Sequence, residues 1–161
     1  MKNSLFLLTF LLFNYATAAT FADAIANLEE SMCPFLAKSR ESLERDTKDY
    51  KTDPSEKNRQ WLLASENHFA YTNSGCSLAK TMAQFLVGNQ INAAQACNYF
   101  YESIVNLSSA IPKLTIFDEE SQLSPLRTMA QEGVGIHANI CISAYDTDER
   151  VKAHWRKLVS R

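Results

Sequence analysis

Four cysteines constrain this chain more than any other feature. Cys33, Cys76, Cys97 and Cys141 stand at nearly equal intervals, with 42 residues between the first two and 43 between the last two. No C-x-x-C pair occurs, which speaks against a thioredoxin-type redox motif or a zinc ribbon, and no C-x-x-C-H occurs for c-type haem attachment. An even count in an oxidising compartment points to two disulfides, with three pairings possible.

The first eighteen residues point to such a compartment. Lys2 is followed by an apolar run from position 5 to 13, and Ala16-Thr17-Ala18 has the small-x-small form of a cleavage site. The run is too short to cross a bilayer, which takes about 20 residues. The segment therefore reads as a cleaved secretory signal. We expect residues 1–18 to be the signal peptide and residues 19–161 to form a single domain. That product is expected to be periplasmic, or else secreted, with no membrane contact after cleavage.

What that domain is made of follows from its breakers. The chain has only four glycines and four prolines in 161 residues, where roughly 12% of the two together is usual. Sandwiches and barrels need a turn every ten residues or so, and turns consume these residues. The expected fold class is all-α: a disulfide-stapled bundle of five or six helices. A first amphipathic stretch runs from 21 to about 50, opened by Thr20 with Asp23 and bent or broken at Pro34. Asp53-Pro54-Ser55-Glu56 reads as an N-cap, first-turn proline and capping-box acid for a second helix that ends before Gly75. A third spans about 76–87, and a fourth 92–110, capped by Asn92 with Gln95. Ser124-Pro125 starts a fifth to about 145. Asp146 or Thr147 starts a sixth, with Val151, Trp155 and Leu158 on one face.

Counting along antiparallel neighbours then selects the disulfides. Cys33 lies 20 residues before Asp53 and Cys76 lies 23 after it; Cys97 lies 21 before Asp118 and Cys141 lies 23 after it. At a rise of about 1.5 Å per residue the mismatches are only about 3–5 Å. Pairing Cys76 with Cys97 leaves a mismatch of about 8 Å across a turn near Asn89 and Gln90, too far for Cα atoms that must lie within about 7 Å. The spacing thus predicts Cys33–Cys76 and Cys97–Cys141, each closing one helical hairpin. Aligning Cys33 on Cys97 also matches Phe35 with Tyr99, Ser39 with Ser103 and Leu43 with Leu107. That fits a duplicated hairpin or merely shared helical periodicity.

Chemistry-bearing motifs are few. Ser77-Leu78-Ala79-Lys80 has the S-x-x-K spacing of serine acyl-enzymes, but the S-D-N and K-T-G elements those enzymes need are missing. His137 and Cys141 are four apart, a metal-compatible spacing, yet a disulfide removes the thiolate. No E-x-x-H or H-E-x-x-H is present. The acidic groups Glu29-Glu30, Asp118-Glu119-Glu120 and Asp146, Asp148, Glu149 lack the sheet or long loops that build a glycosidase cleft. With 16 basic and 18 acidic residues the formal charge is −2, which offers nothing to nucleic acid. The sequence is therefore read as that of a protein without catalytic, metal or cofactor sites. Asn106-Leu107-Ser108 fits a glycosylation sequon but falls inside a predicted helix. In Tyr99-Phe100-Tyr101, Phe100 is expected to face the core with Cys97, Ile104 and Leu107. Gly133 and Gly135 sit mid-helix, implying close packing or a break.

The most informative segment is the connection from 112 to 124, thirteen residues where helix connections usually take about 2–8. It sets apolar Leu114, Ile116 and Phe117 beside acidic Asp118, Glu119 and Glu120. Two readings stand. Either the loop folds back with its apolar residues capping the bundle, or it is displayed to a protein partner. We expect the second, with Leu114, Ile116, Phe117, Asp118, Glu119 and Glu120 as the partner-binding residues. The corresponding function is that of a small exported binding protein, inhibitor- or immunity-like, whose partner is another exported or envelope protein. In size, signal and disulfide use the chain is similar to helical periplasmic immunity proteins against secreted cell-wall amidases, a likeness of architecture and not of motif. The alternative is a periplasmic carrier of haem or another apolar ligand. Met32 near the start and His154 near the end give the chain a layout that resembles cytochrome b562, although Cys33 beside Met32 departs from that pattern.

Overall fold

The structure, a computed structural model, describes residues 21–87, 93–117 and 120–142. The expected signal segment, Thr20, Asn92, Asp118, Glu119 and the sixth helix lie outside these residues. All regular structure described is helical, with no strand among the described residues. The chain runs through α1 (Phe21–Met32), a 3-10 turn (Cys33–Phe35), α2 (Leu36–Thr52), α3 (Glu56–Leu86), α4 (Ala93–Ala110), a second 3-10 turn (Ile111–Lys113), α5 (Glu120–His137) and a π-helical turn (Ala138–Ile142). Because α1 continues into α2 through the turn at Pro34, these segments make four rods, where five or six helices were expected.

Within the described residues, where five of the expected helices fall, the count drops to four at Gly75, which the sequence suggested as a stop. Instead α3 runs straight through it for 31 residues, about 46 Å. A Cβ at Gly75 would come within 3.1 Å of Met32 Cγ and 3.3 Å of Phe100 Cε2. The missing side chain therefore lets α1 and α4 both close on α3 at this point. A helical glycine costs about 1 kcal/mol against alanine, and this packing offsets it. Gly133 has the same use: its Cβ would lie 2.9 Å from both Ile104 Cγ1 and Tyr71 Cε2. Gly135 meets open space, and the helix runs through it unbroken.

The start of α3 also shifts. Ser55, in extended conformation, is the N-cap and accepts from the Asn58 N–H at 3.4 Å. Asp53 instead terminates α2, its N–H bonded to the Asp49 carbonyl at 2.9 Å. The Asn58 side chain ties the turn by donating to the Asp53 carbonyl at 2.8 Å and its carboxylate at 3.1 Å. With the Asp53 carbonyl and carboxylate both taken by the Asn58 amide, the next hydroxyl takes over the cap. α5 begins at Glu120, four residues before the expected Ser124 start, and carries Pro125 inside it.

Both disulfides form as the spacing predicted, with Cα–Cα distances of 4.9 Å for Cys33–Cys76 and 5.9 Å for Cys97–Cys141. Closed loops of 43 and 44 residues contribute about 4 kcal/mol each on a chain-entropy account. α3 packs against α1, α2 and α4, α4 packs against α5, and α1 meets the π-helical turn. Tyr71, Phe100, Leu28, Leu78, Met82, Ile104 and Met129 fill the centre. α2 differs from the other helices: its buried residues are Ser39 and Asp46. Asp46 accepts from the Ser65 hydroxyl across the seam and from its α2 neighbour Arg45 Nε at 2.9 Å, so a polar pair sits where a bundle normally sets two apolar side chains.

Candidate functional site

α4 is 18 residues long against the 31 of α3, so it ends well short of the α2–α3 turn. The connection after it climbs along the exposed flank of α3. Pro112 sits in the 3-10 turn, where its missing N–H costs nothing, and the Leu114 N–H closes that turn on the Ile111 carbonyl at 3.1 Å. A further turn returns the Phe117 N–H to the Leu114 carbonyl at 3.4 Å.

One side chain of α3 holds this segment. Gln60 is only 3% exposed. Its Oε1 accepts from the Ile116 N–H at 2.8 Å, and its Nε2 donates to Thr115 Oγ1 at 3.0 Å. The same Nε2 donates to Glu56 Oε1 at 2.7 Å. Glu56 also receives Arg59 through Nε at 2.7 Å and Nη2 at 2.6 Å. The Arg59 bonds, with Gln60 second, hold the Glu56 carboxyl down to about 2. Beside Gln60, Trp61 meets Phe117 edge to face at 4.6 Å between ring centres. Gln60 and Trp61 thus fasten the connection to the first turns of α3, and Glu56, itself paired with Arg59, holds the Gln60 amide.

The six expected partner-binding residues therefore divide. Leu114 is 1% exposed and Phe117 9%, both in the core cluster. In this structure both face inward, as in the first of the two readings, with Phe117 packed on Trp61. The reason is that a two-residue apolar surplus beside an open α3 flank is removed from water by folding back. Ile116 is half-buried, while Thr115, Pro112 and Lys113 are exposed. Glu120 opens α5; Asp118 and Glu119 lie outside the described residues. Gln60 and Trp61 were missed from sequence. The pair Glu56 and Gln60 at helical spacing was visible, but the Gln60 partners stand 55 and 56 residues away.

The other candidates fall into place around the core. Ser77 and Lys80 are both exposed on α3. Met32 is a core side chain packed at Gly75, and His154 lies outside the described residues. His68 and His137 are buried, and desolvation pulls both imidazoles down to about 4, so they are neutral at pH 7. Tyr101 lies 5.3 Å from the His137 ring. Phe100 is fully buried as expected, while Tyr99 is 56% exposed. Asn106 and Ser108 are exposed, with the Ser108 hydroxyl bonded to the Ile104 carbonyl at 2.9 Å. Among the described residues no three of His, Cys, Asp and Glu come together as a metal site, and no helix is long and apolar enough to cross a membrane. Compared with family models, curated proteins and solved structures, the chain matches none.

Proposed function

We propose that this chain is an exported helical protein that acts by binding another exported or envelope protein, inhibitor- or immunity-like, and not by catalysis. In this reading residues 1–18 direct export and are removed. The contact element is the segment after α4: Ile116 with Asp118, Glu119 and Glu120, held from beneath by Leu114 and Phe117. The observation that carries the reading is the Gln60 latch. A loop whose backbone N–H is tied to a buried amide loses little conformational freedom on docking, and preorganisation of that kind raises affinity without adding contacts. Three consecutive carboxylates beside it would raise the association rate toward a cationic partner and make that rate salt-dependent.

The test is site-specific photo-crosslinking. A benzophenone amino acid is placed at Thr115 or Ile116, with Ser77 on the outer face of α3 as the control position. The protein is then exported and irradiated in its native compartment. A discrete crosslinked species from the loop positions, weakened when Asp118, Glu119 and Glu120 are changed to their amides, is the expected result. Crosslinks from Ser77 alone, or from none of the three positions, would count against the loop as the contact element.

A further inference from the structure

We propose that the two disulfides differ in kind: Cys97–Cys141 is a sealed structural bond, whereas Cys33–Cys76 is a reducible clasp whose opening releases α1 about the Cys33–Phe35 turn. Cys97 and Cys141 are both 0% exposed, and Cys76 is 2% exposed. Cys33 alone of the four is only partly buried, at the junction of α1 and α2. Thiol–disulfide exchange requires an incoming thiolate to reach a sulfur, and Cys33 is where one can arrive.

The exchange balances with a dithiol as the reductant. One thiolate of the dithiol attacks the Cys33 sulfur; the new bond joins reductant to Cys33, the Cys33–Cys76 bond breaks, and Cys76 leaves as a thiolate that takes up a proton. The second thiolate of the reductant then displaces Cys33, which is protonated in turn. The protein gains two electrons and two protons, and the dithiol becomes an intramolecular disulfide.

The position of the clasp gives this step a mechanical result. α1 is 12 residues long, a length at which an isolated helix is marginal in water, so it depends on docking. It docks through Ile25, Leu28 and Met32, with Met32 seated at Gly75, immediately beside Cys76. The turn that joins it to α2 has no side-chain cap at its N-terminal end and contains the exposed Pro34, which has no N–H to bond. Cutting the clasp leaves that turn as a hinge. Movement of α1 then uncovers apolar surface on the stretch of α3 beyond Gly75, where Leu78, Ala79 and Met82 are now 0% exposed. The Cys97–Cys141 bond continues to hold α4 to the π-helical turn.

The oxidised full chain is titrated with dithiothreitol, quenched with N-ethylmaleimide, mapped by peptide mass, and followed in parallel by amide hydrogen exchange. Cys33 and Cys76 should label together at a reductant level at least about tenfold below that needed for Cys97 and Cys141. Under those conditions the α1 amides should exchange about tenfold or more faster while α4 amides keep their protection. Labelling of Cys97 and Cys141 first, or of all four at once, overturns the proposal; so does unchanged α1 protection after Cys33 and Cys76 are labelled. The double variant Cys33→Ser, Cys76→Ser should show the fast α1 exchange with no reductant present. Loss of protection in α1 and α4 alike in that variant also overturns it, because the release would then not be local.

Discussion

Lowering the pH from 7 to 4 removes stability through two imidazoles. His68 is 7% exposed and His137 is 5% exposed, and burial lowers both from an ordinary 6.5 to about 4. Above 6.5 both are neutral in the folded and unfolded chain, so the fold has its full stability. As the pH falls from 6.5 toward 4 the unfolded chain takes up the two protons and the folded one does not, so the balance moves toward unfolding; below about 4 the effect saturates. A displacement of about 2.5 pH units at about 1.4 kcal/mol per unit amounts to up to about 3 kcal/mol for each histidine. Together, at up to about 6 kcal/mol, they are comparable with the low end of a typical domain's stability, about 5–15 kcal/mol. Glu132, whose carboxyl is raised by burial, works weakly in the opposite sense. The Glu56 carboxyl, lowered from 4.5 to about 2, acts in the same sense as the histidines, but its contribution begins to fall only near pH 4.5, at the foot of this window. Urea unfolding followed by far-UV circular dichroism at pH 7, 6, 5 and 4, at constant salt, reads the effect as a falling midpoint. His68→Gln and His137→Gln should each remove about half of the pH dependence. A midpoint that stays flat from pH 7 to 4.5, or variants that both keep the full slope, would refute the assignment.

Three further outcomes follow from packing. Phe117→Ala empties the space against Trp61 and should cost about 3 kcal/mol, seen as a fall of several degrees in Tm. Gln60→Ala leaves the Ile116 N–H without its acceptor and should cost about 1–3 kcal/mol; faster hydrogen exchange at the Ile116 amide is the specific sign, and an unchanged rate would show that the latch does not hold the loop. Gly133→Ala forces a methyl onto Ile104 and Tyr71 and should destabilise by about 1–3 kcal/mol, whereas Gly135→Ala should stabilise by up to about 1 kcal/mol. Equal effects at the two positions in thermal melts would contradict the packing described.

Much of the architecture is legible along the chain because helices translate residue number into distance at a constant rate. Scarce glycine and proline select helices, Pro34 bends the first rod, and counting from Asp53 and Asp118 pairs the four cysteines correctly. Phe100, Ile104 and Leu107 are identified as core by period alone. The local readings that failed did so where one residue type has two uses. A glycine lacks a Cβ whether it ends a helix or admits a neighbour, so Gly75 could be read as a stop. Asp53 and Ser55 both carry a capping oxygen, and the choice between them was made by Asn58 bonding back to Asp53.

The candidate site was half visible. The length of the connection and its apolar and acidic halves stand in the sequence, but its direction does not. Folding Leu114 and Phe117 inward depended on α4 ending beside an uncovered flank of α3, with Trp61 there to receive a ring and Gln60 to receive an N–H. What the sequence determined by itself was therefore the helical class, the bend and the disulfide pairing, since each rests on local propensity and on a fixed rise per residue. The fate of the loop, the passage of α3 through Gly75 and the burial of His68 and His137 were decided only by tertiary structure. Close approach and hydrogen bonding between residues more than fifty positions apart leave no periodic signal along the chain.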